Sequence, residues 1–328
     1  MRRRDVIASI GVLALPRVAW AQTARVTRIG FLIPSPLDAP VTTENFGAMR
    51  QGLAELGYIE GKNIVFEPRG GNGTAERLAA MAAELVAAKV DIIVAIATPA
   101  ARAAQQATST IPIVIGSVGD PVQDGFVASL SHPGGNITGT TFLGPELVSK
   151  RFALLKELLP NASRVVILWN PKAFGEKTTE GMVAQSADAA KALDIKLQYV
   201  EVPGLDAFEH AFAEAASAHP DAVFQFPNPT FFENRKLVVD LAAKYRLPTN
   251  YNAKEFVEVG GLIGYGASPV GLNARTAVFV DKIIKGAKPA DLPVEQPTVF
   301  DFAINRTTAK SLGITIPNTL LAVAEVMD

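Results

Sequence analysis

The sequence predicts an α/β fold of two Rossmann-like lobes, each with a parallel sheet, joined by a hinge that the chain crosses several times. Three observations carry that expectation. Short apolar runs alternate with segments of helical periodicity, which is the pattern of βα units. The order of those units occurs twice. More strand and helix segments then follow the second copy than two simple lobes in tandem require.

The elements follow in order. "TRIGFLIP" (27–34) is a short apolar run closed by proline, as a buried parallel strand should be. Phe46, Met49, Leu53 and Leu56 mark one helix face, and Gly57 stops it. "NIVFEP" (63–68) is a strand, and Leu78, Met81 and Leu85 then give an Ala-rich helix its inner face. "DIIVAIA" (91–97), a helix from Pro99 and "IPIVIG" (111–116) complete the first copy. In the second copy "SRVVILWNP" (163–171), "IKLQYVEV" (195–202), "DAVFQF" (221–226) and "LPTNYN" (247–252) answer those four strands. Phe208 and Phe212, then Leu237, Leu241 and Tyr245, supply helix faces between them. Even the phrasing repeats: Asp91 and Asp221 each open an apolar run that reaches Thr98-Pro99 or Asn228-Pro229.

Beyond Glu255, "GGLIGYG" (260–266) reads as a strand, followed by a helix with Val278, Ile283 and Ile284. "FDFAIN" (300–305) and the helix "RTTAKSLG" follow a Pro-rich connector. The economical topology returns Gly260–Lys285 to the first lobe and the C-terminal segment to the second. That expectation divides the chain into 22–143 plus 256–286 and 144–255 plus 287–328. Crossings then lie near 142–146, 250–256 and 286–296. Several crossings make a hinge that opens without letting the lobes drift apart.

Residues 1–21 read as a signal peptide. Arg2, Arg3 and Arg4 precede an apolar stretch from Val6 to Leu15, and Ala19-Trp20-Ala21 forms a cleavage site. Twin-arginine and general secretion both remain open as routes, and the expected destination is the periplasm. Cysteine is absent, which excludes disulfides, thiolate chemistry and a lipid anchor on an N-terminal Cys. With 31 Lys+Arg and 32 Asp+Glu, losing four Arg and one Asp leaves a formal charge of −4. Such a balance offers no basic field for nucleic acid. Nothing after the signal is apolar over the ~20 residues that span a bilayer, so no membrane insertion of the mature chain is expected. A monomer without cofactor is expected.

In open parallel sheets, ligands bind beyond the carboxyl ends of strands. In the first lobe those ends carry Ser35, Thr98 with Pro99, and Ser117 to Asp120. The second lobe offers Trp169, Asn170, Asn228 and Tyr251 to Glu255, and Tyr265 closes the GGLIGYG strand. Helix N-termini accept an anion and carboxylates accept an ammonium, so this set suits a small zwitterion held between the lobes. Taken singly, most of these residues also read as helix caps or turn formers.

Longer stretches carry a family resemblance. "RQGLAELGYIEGKNI" (50–64), "IPIVIGSVGDPV" (111–122), "SLSHPGGNITGTTF" (129–142), "EFVEVGGLIGYG" (255–266) and "KPADLPVEQPT" (288–298) resemble the solute-binding proteins of ABC transporters. The likeness is to their TrpX-like group, with the type I periplasmic-binding fold, and extends over essentially the whole chain. It implies an exported receptor that closes on a small solute, such as an amino acid or a related compound. It also implies delivery to a membrane permease with ATPase subunits. By similarity, Thr98, Ser117–Asp120, Asn170, Asn228 and Glu255 would line the site.

Other functions fit less well. "GGNGTAE" (70–76) follows a strand, but Glu76 stands where a dinucleotide loop needs a small residue. His132, His210 and His219 lack metal-ligand spacing, and G-x-S-x-G is absent. No nucleophile or metal for an enzyme is therefore visible. A transcriptional regulator on the same core would need a helix-turn-helix where this chain has an export signal. A periplasmic sensor feeding a membrane receptor remains open.

Overall fold

A computed structural model describes residues 26–71, 74–142 and 144–328; the expected signal peptide lies outside them. The first sheet comprises β1 (Thr27–Ile33), β2 (Ile64–Gly70), β3 (Ile92–Ile96), β4 (Ile113–Val118) and β5 (Ile137–Thr141). Its order is β2-β1-β3-β4-β5, parallel throughout. The second comprises β6 (Arg164–Trp169), β7 (Lys196–Glu201), β8 (Ala222–Gln225), β9 (Thr249–Tyr251) and β10 (Ile263–Gly266), extended by β11 (Asp301–Asn305) and β12 (Glu325–Met327). Its order is β12-β11-β10-β9-β8-β6-β7, parallel except where β11 runs antiparallel to β10.

Both sheets repeat one winding. Reading β7-β6-β8-β9-β10 as second-first-third-fourth-fifth reproduces the order of the first sheet. The sequence repeat therefore extends to five βα units rather than four. The first lobe's fifth strand is "ITGTT", β5, which is fully buried although its Gly and Thr residues form no apolar run. Apolar clusters cover both faces of each sheet, as parallel strands require. Phe31, Met49 and Phe279 lie on one face of the first sheet, and Leu85, Ile93 and Ile115 on the other. In the second lobe Phe152 stacks on Phe224 at 4.2 Å, while Phe208, Phe212 and Val223 fill the opposite face.

This repeat corrects the expected division of the chain in two places. Gly260–Gly266 does not return to the first lobe: β10 pairs with β9 and β11 as the second lobe's fifth strand. The chain crosses back only after Gly266, at about the helices Pro269–Ala274 and Thr276–Ile284. These pack on helix Pro40–Glu55 and β4, and Ala277, Phe279 and Val280 enter the first core. Residues 287–296 also stay with the first lobe rather than the second. Leu292 O accepts from Thr138 Oγ1 at 2.7 Å, Val294 N donates to Leu130 O, and Glu295 N donates to Gly139 O. The last crossing follows Glu295 and leads into β11. The first runs from β5 into helix Gly144–Leu158, whose Phe152 and Leu155 join the second core.

A candidate solute-binding cleft between the lobes

The sheets present their carboxyl ends to one another across a cleft of about 860 Å³, part of it open solvent at the mouth. Ser35 enters it just beyond β1, and Ala97 opens helix Ala97–Ala107 beyond β3. Ser117 lies within β4, where the register shifts between Ile115 and Val118. Ala97 and Ser117 hold φ values of +68° and +52°. Left-handed backbone at non-glycine residues is costly, and both of these residues lie in the cleft lining.

Behind Ser117 runs a buried polar chain. Its Oγ donates to Asn273 Oδ1 at 3.0 Å, and Asn273 Nδ2 donates to Asn45 Oδ1 at 2.9 Å. On the other side Asn228 caps helix Pro229–Glu233, accepting from Thr230 N through Oδ1, while its buried Nδ2 has no partner among the described residues. Asn252, just past β9, likewise leaves its Oδ1 buried without a partner among the described residues. Phe142 and Phe174, 5.2 Å apart, form an aromatic wall with Phe232 and Tyr265 nearby in the lining.

One lining residue is charged. Arg151, on helix Gly144–Leu158, is 2% exposed. Nε donates to Asn250 Oδ1, Nη2 donates to the carbonyls of Gln225 and Asn250, and the guanidinium lies 4.1 Å from the Phe224 ring centroid. No ion pair to it occurs among the described residues, and Nη1 carries no hydrogen bond there. Burial pulls its pKa down to about 9. A charge held this way has its geometry fixed and its counter-ion missing.

The lobes touch across the cleft. Asp124 of the first lobe accepts from Thr178 N at 3.2 Å and from Thr178 Oγ1 at 2.8 Å. Asp120 N donates back to Thr178 Oγ1 at 2.8 Å. Helix Glu176–Ala192 has Gly175 as N-cap and no side-chain cap of its own, so the opposite lobe's Asp124 serves as one. Ser35 Oγ donates to Glu233, and Arg235 pairs with Glu44 at 2.7 Å. These bonds hold a closed arrangement.

Of the residues expected at the site, Ser35, Ser117, Asn228 and Tyr265 line the cleft together. The others stand elsewhere, for definite reasons. Thr98 Oγ1 accepts from Gly119 N and braces the loop after β4, and Pro99 follows it inside the first helical turn. Asp120 Oδ1 accepts from Val122 N and Gln123 N, closing a turn. Trp169 packs edge-on against Tyr199 at 5.6 Å, and Asn170 Oδ1 caps a turn through Lys172 N. Tyr251 is buried and stacks on Phe256 at 4.9 Å. Glu255, outside the lining, accepts from Ser268 Oγ at 2.7 Å, and its other oxygen is buried without a partner among the described residues. Burial raises the Glu255 pKa.

Asn252 falls within the expected stretch Tyr251 to Glu255 and does line the cleft, whereas Arg151, Asn273 and the three phenylalanines are not among the residues expected from the sequence. Arg151 left a signal: it stands beside Phe152 on a stripe that also includes Val148 and Leu155, a charge on an apolar helix face.

Comparison with known proteins fits this geometry. A family model described as "ABC transporter substrate binding protein" matches residues 32–327. The chain belongs to that family. It is a family of substrate-binding proteins, not enzymes. A solved structure of an ABC domain in complex with L-Trp, from Streptococcus pneumonia, is 28% identical. It covers 92% of this chain and 100% of its own, with a TM-score of 0.83. A conserved domain protein from Vibrio cholerae has the same identity and TM-score, covering 93% and 100%. A tyrosine-binding protein of Clostridioides difficile is 26% identical over 265 residues, 80% of this chain and 75% of its own. Periplasmic and leucine-binding proteins at lower identity share the type I fold. No helix among the described residues is long and apolar enough to cross a membrane.

Proposed function

We propose that this chain is the exported solute-binding component of an ABC importer. It acts as a monomer in the periplasm, closing on one small organic solute and presenting it to a permease with ATPase subunits. The observation that carries this reading is the closed interlobe cleft: among the described residues, Arg151 Nη1 carries no hydrogen bond, and Asn228 Nδ2 and Asn252 Oδ1 are buried without a partner. Buried polar atoms without partners are costly, and a solute that satisfies them gains affinity from the same arrangement. Ser35, Ser117 and Tyr265 would complete the contacts, with Phe142, Phe174 and Phe232 packing on an apolar body. Relatives described as binding tyrosine or holding L-Trp support a solute of about that size.

The test is a thermal-shift screen of the purified protein against amino acids and organic acids, confirmed by calorimetry. A solute at 100 times its dissociation constant should add about 2.7 kcal/mol to stability. It should be recovered chemically unchanged after prolonged incubation. Turnover, or no response across small metabolites, would remove the carrier reading.

A further inference from the structure

We propose that the cleft selects a monocarboxylate with an apolar body and no ammonium group, so that its ligand is an organic acid rather than an amino acid. This rests on the carrier reading above and narrows its substrate class.

The argument is one of charge balance in a closed space. Arg151 brings a fixed positive charge to the lining, and its Nη1 is the one guanidinium nitrogen without a hydrogen bond among the described residues. Asn228 adds a second unpaired donor, 5% exposed. Two unpaired donors, one of them charged, match a carboxylate. A monoanion then leaves the occupied cleft neutral.

A zwitterionic amino acid would leave it at +1. Its ammonium would need acceptors and a negative partner, yet no Asp or Glu lines the cleft among the described residues. Two carboxylates bond to residues at or beside the wall without lining the cleft themselves: Glu233 accepts from Ser35 Oγ at 3.0 Å, and Glu255 accepts from Ser268 Oγ, its second oxygen buried without a partner among the described residues. The acceptor left over, Asn252 Oδ1, suits a neutral hydroxyl or N–H donor. The aromatic wall of Phe142 and Phe174 then faces the ligand's apolar part.

Matched pairs that differ only at the α-amino group test this by calorimetry. They are 3-phenylpropanoate with L-Phe, 3-(4-hydroxyphenyl)propanoate with L-Tyr, indole-3-propanoate with L-Trp, and 4-methylpentanoate with L-Leu. Within at least one pair the acid should bind about tenfold or more tightly than the amino acid, since a buried unpaired charge is the larger cost. The primary amide of that acid should bind about tenfold more weakly than the acid, a comparison that needs no mutant. Arg151→Met should erase the difference between acid and amide. If amino acids bind at least as tightly as the acids in every pair, or if amides match acids, the proposal is overturned while the carrier reading stands. Failure of every acid across the four skeletons overturns it as well. Only a wider screen that finds no solute at all removes the carrier reading with it.

Discussion

Replacing Asp124 with Ala should weaken solute binding without disturbing either lobe. Asp124 contributes in the closed form, where its carboxylate accepts two hydrogen bonds from Thr178 at the N-terminus of helix Glu176–Ala192. That helix offers Gly175 as N-cap, so nothing within its own lobe replaces the lost acceptor. Both partners are nearly excluded from water, with Asp124 8% and Thr178 1% exposed. A hydrogen bond to a charged group is worth about 1.5–3 kcal/mol. At about 1.4 kcal/mol per decade, the dissociation constant should rise roughly ten- to a hundredfold. The change arises because the open form loses nothing and the closed, binding-competent form loses its latch. Calorimetry gives the affinity, and small-angle scattering with and without solute gives the closure. The apo melting temperature should stay close to wild type, because the contact lies between the lobes and not within a core. Binding within twofold of wild type, with unchanged ligand-induced compaction, would refute the latch.

Three further expectations follow from the same geometry. Gly119→Val should also oppose closure, since even a Cβ there would stand 2.6 Å from Thr178 Cγ2; calorimetry should find weaker binding and the apo melt should be unaltered. Glu255→Gln should stabilise the protein at pH 8, by about 1–3 kcal/mol for relieving a buried, half-paired carboxylate. Because burial raises the folded pKa, the folded state holds more protons than the unfolded one between the two values, so wild type gains stability as pH falls through that window. The advantage of the Gln variant should shrink towards zero near pH 4, and a constant offset in melts from pH 4 to 8 would contradict this. Trp169, packed on Tyr199 and outside the cleft lining, should show little change in emission on solute binding, and a large shift proportional to occupancy would place it at the site after all.

The fold was legible in the sequence to the extent that strands were apolar. Four units of each lobe announced themselves through runs such as "GFLI" and "VVIL". The fifth did not, because "ITGTT" buries small and hydroxylated residues, and that omission displaced both later crossings. The site was legible to within a residue or two. Tyr251 ends β9 with its ring in the core, so Asn252 is the residue that reaches the cleft; at β3 the lining residue is Ala97 and not Thr98. Strand alternation decides which neighbour points outward, and the exact strand end fixes the alternation. Phe142, Ala267 and Pro269 belong to the crossings, so their place in the cleft depends on how the two lobes meet.

The central claim is that a single small solute is held between the lobes, touched by both, in the cleft where Arg151 waits for a counter-ion. A crystal structure of the protein with the tightest solute from the screen tests it most directly. The account predicts density between Arg151 and Asn228 on one side and Ser35 and Ser117 on the other, with Thr178 still bonded to Asp124. Density outside this cleft, or a solute contacting one lobe alone with the lobes apart, would contradict it.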